Sequence, residues 1–313
     1  MRILRKLLIG LAVVLFLGWL GMIAYAYWPG PTETPARQLA VAEDRFVSVD
    51  GMELRYREYG ERGPGKPDIL LIHGFANSLQ TFRLLVPLIE QHFHVVAVDA
   101  PGFGLSAKPT DRDYSNESQA ATLSRFAEAV GFGRYIVGGH SMGGTLAVYM
   151  ASTDPRVSGV VLMNPGIIST GVPPISQYLP WPMSRIMAKT FGAREFRKKF
   201  LKQSYLKPDL ITAQVMDDMM LAPRSAGYLE GGAKMMGQYE TGGEPIAASK
   251  VRVPTLIVWG MQDRSKPAGE LEAVQALIPG STVARVEDSG HYVQEEQPEA
   301  VAAAMIAAIP GWL

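Results

Sequence analysis

The chain has 313 residues, 47% of them hydrophobic and 19% charged, which suits one large core with an embellishment and argues against disorder. Thirty basic and thirty acidic side chains cancel, so no overall field draws the chain to nucleic acid, and neutral substrates are favoured. Cysteine is absent, which excludes disulfides, thiolate catalysis and cysteine-bound metals together.

Arg2, Arg5 and Lys6 precede a run from Leu7 to Tyr27 that holds no charged residue. At about 1.5 Å per residue a helix over that run crosses a hydrocarbon core about 30 Å thick, with Trp19, Tyr25, Tyr27 and Trp28 suited to an interfacial belt. Basic residues crowd its N-terminal side and none follows before Arg37, which predicts a cytoplasmic N-terminus and an extracytoplasmic remainder. Residues 1–30 are therefore expected to be a single-pass anchor in contact with membrane lipid. Ala24-Tyr25-Ala26 has the form of a signal-peptidase site, so secretion after cleavage is the alternative. Pro29 to Pro35 reads as a short stiff spacer.

Strand-like and helix-like stretches then alternate, the pattern of an α/β fold with a mostly parallel sheet covered by helices. Arg45 to Val49 and Met52 to Tyr59 flank Asp50-Gly51, a hairpin signal. Buried-strand runs follow at Ile69 to Ile72, Val95 to Val98, Tyr135 to Val137, Val157 to Met163, Thr255 to Trp259 and Thr282 to Val286. Helical patterns lie at Ser115 to Val130, Gly144 to Ser152, Ala268 to Leu277 and Pro298 to Ile309. Between Pro165 and Lys250 no strand pattern occurs, and the division expected is a core over 31–164 and 251–313 with a helical lid at 165–250. Met183, Met187, Met216, Met219, Met220, Met235 and Met236 are candidates for an adaptable apolar lining of that lid, or for its packing onto the core. Arg194, Arg197, Lys198, Lys199 and Lys202 are expected to form one basic face, either solvated or turned to anionic lipid headgroups.

Gly139-His140-Ser141-Met142-Gly143 joins the strand ending near Val137 to an Ala-rich helix. A tight strand-to-helix turn of this kind lifts a serine above the sheet, and glycines on both sides let the backbones approach. The helix N-terminus offers the Met142 backbone N–H to a developing oxyanion. A serine needs a base. Of the five histidines, His92 and His94 lie before a strand, His140 is expected to point elsewhere, and His73 suits packing and loop shaping. His291, on a loop after the last strand, remains as the base. The acid is expected between serine and histidine in the chain, which favours Asp263 at a strand end, with Asp288 as the rival three residues before His291.

Five separated motifs recur in order: HGF at His73 to Phe75, DAPGFGLS at Asp99 to Ser106, GHSMGG at Gly139 to Gly144, WGMQD at Trp259 to Asp263 and SGH at Ser289 to His291. In these the chain resembles the α/β-hydrolase superfamily, and within it lipases and esterases that include membrane-anchored monoacylglycerol lipases of the ABHD type. The resemblance runs from about Phe46 to the C-terminus, the lid excepted. It implies an eight-stranded α/β-hydrolase fold, hydrolysis of a carboxylic ester or monoacylglycerol through an acyl-enzyme without cofactor or metal, and an oxyanion hole completed by the Phe75 backbone N–H. It also implies that Glu296 supports the C-terminal helix. The elbow carries serine where haloalkane dehalogenases and epoxide hydrolases need aspartate, so the resemblance to those stops short of their chemistry. A carbon–carbon bond hydrolase of the same fold, or a binding protein that keeps the fold without catalysis, are the other readings.

Overall fold

The computed structural model describes residues 2–30, 32–170, 181–238 and 241–312. The long apolar run is helical, α1 (Arg2–Tyr27), and nearly all of it is exposed. It is the one helix among the described residues long and apolar enough to cross a membrane. Its 26 residues extend about 39 Å, more than a bilayer's hydrocarbon thickness.

Strands β1 (Arg45–Val49), β2 (Met52–Tyr59), β3 (Asp68–Ile72), β4 (His94–Val98), β5 (Tyr135–His140), β6 (Val157–Met163), β7 (Thr255–Gly260) and β8 (Thr282–Val286) form one sheet in the order β1-β2-β4-β3-β5-β6-β7-β8. The first hairpin turns at Asp50 and Gly51, both with positive φ, as a two-residue hairpin turn matched to the sheet's twist requires. β1 with β2 and β2 with β4 are antiparallel, and every later pairing is parallel. This is the eight-stranded α/β architecture that the motifs imply. Every residue of β4, β5 and β7 is buried, as covered parallel strands must be.

Helices α2 (Ala36–Leu39), α3 (Val86–Ile89), α4 (Asn116–Ala129) and α5 (Met142–Thr153) precede β6. Between β6 and β7 come α6 (Met183–Gly192), α7 (Arg194–Ser204), α8 (Ala213–Met219), α9 (Leu221–Arg224), α10 (Tyr228–Gln238) and α11 (Glu244–Ala248), with residues 171–180 and 239–240 of this insertion outside those described. Helices α12 (Glu270–Leu277), α13 (Val293–Glu296) and α14 (Pro298–Ala308) complete the chain. Two apolar cores result, one on each face of the sheet. Leu123, Phe126, Leu146 and Val274 from α4, α5 and α12 fill one, and Ile89, Val301 and Met305 from α3 and α14 fill the other.

The spacer is docked rather than free. The α1 carbonyls of Tyr25 and Ala26 accept hydrogen bonds from Lys189 Nζ at 2.7 Å and Arg185 Nε at 2.9 Å on α6. Lys189 also reaches the Trp28 carbonyl, so two cations neutralise the negative end of α1. Glu33 accepts from the Gly227 and Leu229 amides, and Thr34 bridges to Ser225. Prolines stop the helix, as the sequence indicates. Glu33 and Thr34 find their partners on the insertion, which sequence spacing does not reveal.

Candidate active site

Ser141 lies between the last residue of β5 and the first of α5, with φ 52° and ψ −116°, a conformation that costs a non-glycine residue about 1–3 kcal/mol. The surroundings impose it. A Cβ on Gly139 would collide with the Gly143 backbone, and one on Gly143 with the Ile72 carbonyl, so β5 and α5 meet this closely only through glycine. The Ser141 amide donates to the Met163 carbonyl at 3.0 Å, and the Ser141 carbonyl accepts from Gly166 at 2.9 Å. Strand β5 continues to His140, past the expected Val137, because Gly138 and Gly139 pair with β3 and β6 without any aliphatic signal of their own.

The ends of three parallel strands meet at this serine. His291, past β8, places Nε2 3.0 Å from Ser141 Oγ. Its Nδ1 lies 2.7 Å from Asp263 Oδ2, past β7. The rival Asp288 is exposed at the loop tip. Burial alone would raise the Asp263 carboxyl, but hydrogen bonds from His291 and Ser265, with the imidazole's charge, hold it well below the usual carboxylate range. The Asp263 side chain also accepts from Asn164 Nδ2 at 2.8 Å and from Ser265 Oγ at 2.6 Å. Neither Asn164 nor Ser265 is among the sequence-expected site residues, since a polar residue after a strand is ordinary; Asn164 reaches Asp263 because β6 pairs with β7, and Ser265 because it shares the turn after β7.

Of the other four histidines, His92 is exposed and three are placed as structural groups. His94 bonds Asp68 and Glu58 at the far end of its strand. His73 is buried, with Nδ1 at 2.7 Å from the Gly74 carbonyl and Nε2 accepting from the Ala100 amide at 3.1 Å. His140 lies closer to the chemistry than expected, its Nε2 2.8 Å from the His291 carbonyl. A carbonyl only accepts, so this nitrogen carries the proton. Burial, helped by the neighbouring imidazole, holds the ring well below the usual histidine range and therefore neutral. Glu296 is also turned differently from the expectation. Its carboxylate accepts from the Gly290 amide at 2.5 Å and the Lys207 amide at 2.8 Å, so it holds the His291 loop and the insertion rather than the C-terminal helix. The His291 amide itself donates to the Ser204 carbonyl at 3.1 Å.

Met142 is the first residue of α5, where a backbone N–H has no intrahelical acceptor. Phe75 follows β3 in the Gly74–Asn77 turn, closed by the Asn77 amide on the Gly74 carbonyl at 3.3 Å. A Cβ on Gly74 would lie 3.2 Å from Ser141 Cβ, so the peptide that carries the Phe75 amide runs directly beside the serine.

A cavity of about 470 Å³ opens over Ser141 and His291. Phe75, Met187, Phe191, Phe200 and Met236 make an apolar wall, while Ser169, Gln203, Arg264 and Lys266 line a polar side. Of the seven methionines singled out above, Met187 and Met236 reach this space. Met216 and Met219 pack with Leu201, Tyr205, Ile211, Val215 and Tyr292 in a separate cluster, and Met235 belongs to the main core. The expected basic face is also smaller. Arg197 is buried and Arg194 pairs with Asp217, while Lys199 and Lys202 are exposed. Among the described residues no group of three or more His, Cys, Asp or Glu is arranged to hold a metal ion.

Residues 67–298 match a family model described as alpha/beta hydrolase fold. Lipase 1 of Psychrobacter immobilis is 29% identical over 78% of this chain and 76% of its own length. The 2-hydroxy-6-oxo-6-(2'-aminophenyl)hexa-2,4-dienoic acid hydrolase of Metapseudomonas resinovorans is 30% identical over 82% of this chain and 87% of its own. Among solved structures, one described as a membrane phospholipase A superposes with a TM-score of 0.71 at 24% identity, covering 98% of this chain and 99% of that one.

Proposed function

The chain belongs to the α/β-hydrolase family and is an ester hydrolase, and on that premise we propose that Ser141, His291 and Asp263 are its catalytic triad, acting on esters of lipid-like acids at a membrane surface. The observation that carries this reading is the continuous path from Ser141 Oγ through His291, at 3.0 and 2.7 Å, to Asp263. His291 Nε2 takes the serine proton as Oγ attacks the ester carbonyl. Asp263 accepts from Nδ1–H, fixes the tautomer and stabilises the imidazolium. The Met142 and Phe75 amides receive the oxyanion. The alcohol leaves with the proton held by His291, and water then attacks the acyl-enzyme by the same route in reverse. The helical insertion acts as the lid.

The apolar wall supports an acyl chain and the polar side a hydroxylated alcohol, which makes medium-chain monoacylglycerols and simple esters the favoured substrates. Helix α1 supports anchoring, with secretion after Ala26 as the other fate of that segment. The name of the Metapseudomonas relative keeps a second reading in view, cleavage of a carbon–carbon bond in a dienoate ketone by the same triad. A panel of nitrophenyl esters, medium-chain monoacylglycerols and one such dienoate separates the two. Ester turnover, lost in Ser141→Ala together with fluorophosphonate labelling, is expected; turnover of the dienoate alone, or full activity in Ser141→Ala, would overturn the proposal.

A further inference from the structure

Arg197 stands in a run of charged residues on α7, yet only 2% of its surface is exposed. Among the described residues no carboxylate pairs with it. Its Nε donates to the Phe191 carbonyl at 2.9 Å, and Nη1 donates to the Met219 carbonyl at 2.6 Å and the Ala76 carbonyl at 3.1 Å. Nη2 reaches the Tyr228 hydroxyl at 3.3 Å. A buried guanidinium without a counter-ion is costly and persists where its donors are satisfied. Here two of the carbonyls and the hydroxyl belong to the insertion, and the third carbonyl belongs to the turn beside Ser141.

That turn is strained where Arg197 meets it. Ala76 has φ 56°, and it is the third residue of a turn closed from Asn77 to Gly74. Positive φ at this position is normally met by glycine. An alanine there stays only if its surroundings hold it. The charge-assisted bond from Arg197 fixes the Ala76–Asn77 peptide, whose N–H closes the turn on the Gly74 carbonyl, and that carbonyl shares a peptide unit with the Phe75 amide.

We propose that Arg197 is a positioning residue for ester hydrolysis, holding the Gly74–Asn77 turn in the shape that aims the Phe75 amide at the oxyanion. The inference rests on the reading of Phe75 as an oxyanion donor. It gives the insertion a part in the chemistry as well as in covering the site, because the clamp on this turn comes from a lid helix.

The test uses the full-length protein with Arg197→Met, Arg197→Lys, Ala76→Gly and the double change Ala76→Gly/Arg197→Met. Loss of a whole oxyanion donor costs about 10²–10³ in kcat, so a misaimed donor should cost about tenfold. Arg197→Met should lower kcat about tenfold with KM within twofold, and weaken a tetrahedral boronic acid inhibitor by the same factor. Arg197→Lys should recover part of that loss. In the Ala76→Gly background the penalty for Arg197→Met should shrink at least threefold, because glycine adopts positive φ without support. A role confined to holding the lid would not show this dependence on residue 76. Should Arg197→Met fail to fold, Arg197→Lys with and without Ala76→Gly gives the same comparison. Unchanged kcat and boronate affinity in the Arg197 variants, or an equal penalty with alanine and glycine at 76, would overturn the proposal. Ser141→Ala assayed alongside keeps the readings apart: if it retains activity the triad fails, whatever Arg197 does.

Discussion

If the apolar wall receives the acyl chain, chain length becomes a ruler for the cavity. Each methylene moved from water into that wall contributes about 0.8 kcal/mol, or about fourfold in kcat/KM. Going from acetate to hexanoate adds four methylenes, so kcat/KM should rise by about two orders of magnitude while the chain still finds wall to cover. The rise should stop once the space of about 470 Å³, which must also hold the alcohol, is filled. Met236 and Met187 both line this space, so Met236→Phe should move the optimum to a shorter chain and Met187→Ala to a longer one. Met219 is buried in a different cluster. Met219→Ala therefore costs stability, about 2–5 kcal/mol for a buried methionine, yet should leave the optimum where it was. The assay is kcat/KM for a nitrophenyl ester series from two to twelve carbons. A flat profile, or an optimum that follows Met219 and ignores Met187 and Met236, would refute the assignment of the wall.

Asp263→Asn should lower kcat by about 10³–10⁴ through loss of the oriented tautomer, whereas Asp288→Asn, at an exposed loop tip, should stay within twofold; a larger effect at Asp288 would reassign the acid. The same carboxyl links stability to pH. Its folded value lies below the unfolded one, so its contribution is complete above about pH 4 and disappears as pH falls through the lower folded value. Denaturant melts from pH 2 to 6 should show the wild type gaining stability up to about pH 4 and Asp263→Asn gaining less, the remainder coming from other depressed carboxyls such as Asp44 and Asp154; parallel curves would contradict the shift. Full-length protein should sediment with membranes, and removal of residues 2–24 should release it with its melting temperature little changed. Deletion through Pro35, which also removes Glu33 and Thr34 from the insertion, should lower that temperature by several degrees, and no difference between the two truncations would show that the docked segment adds nothing.

The sheet and two of the three proposed catalytic side chains are readable from the sequence for one physical reason. Covered parallel strands must be apolar on both faces, so the ends of β5 and β7 stand out, with Ser141 directly after one and Asp263 three residues after the other; β8 is a half-exposed edge strand, and His291 is marked instead by the SGH motif on the loop after it. Because β5, β6, β7 and β8 run parallel, the C-terminal ends of β5, β7 and β8 lie on one side of the sheet. The elbow's glycines carry equal information, because the contacts at Gly139 and Gly143 leave no space for a side chain.

Residues that act across the chain's turns carry no such mark. The role of Asn164 depends on β6 lying beside β7, and that of Glu296 on α13 facing the His291 loop. Composition cannot say which methionine of a helix faces a cavity and which faces a neighbouring helix. Arg197 is the instructive case. Charge count places it with Arg194, Lys198 and Lys199 on a surface, yet it lies four residues before Leu201, and these two are the buried positions of α7. Helical spacing thus contains the signal that residue type conceals. Helix α7 meets the site at both ends: Arg197 holds the turn that carries Phe75, and the Ser204 carbonyl holds the amide of His291. On the proposed roles of Phe75 and His291, a displacement of α7 would therefore loosen the oxyanion donor's turn and the base together, through two hydrogen bonds made by a segment that contributes no side chain to the proposed triad.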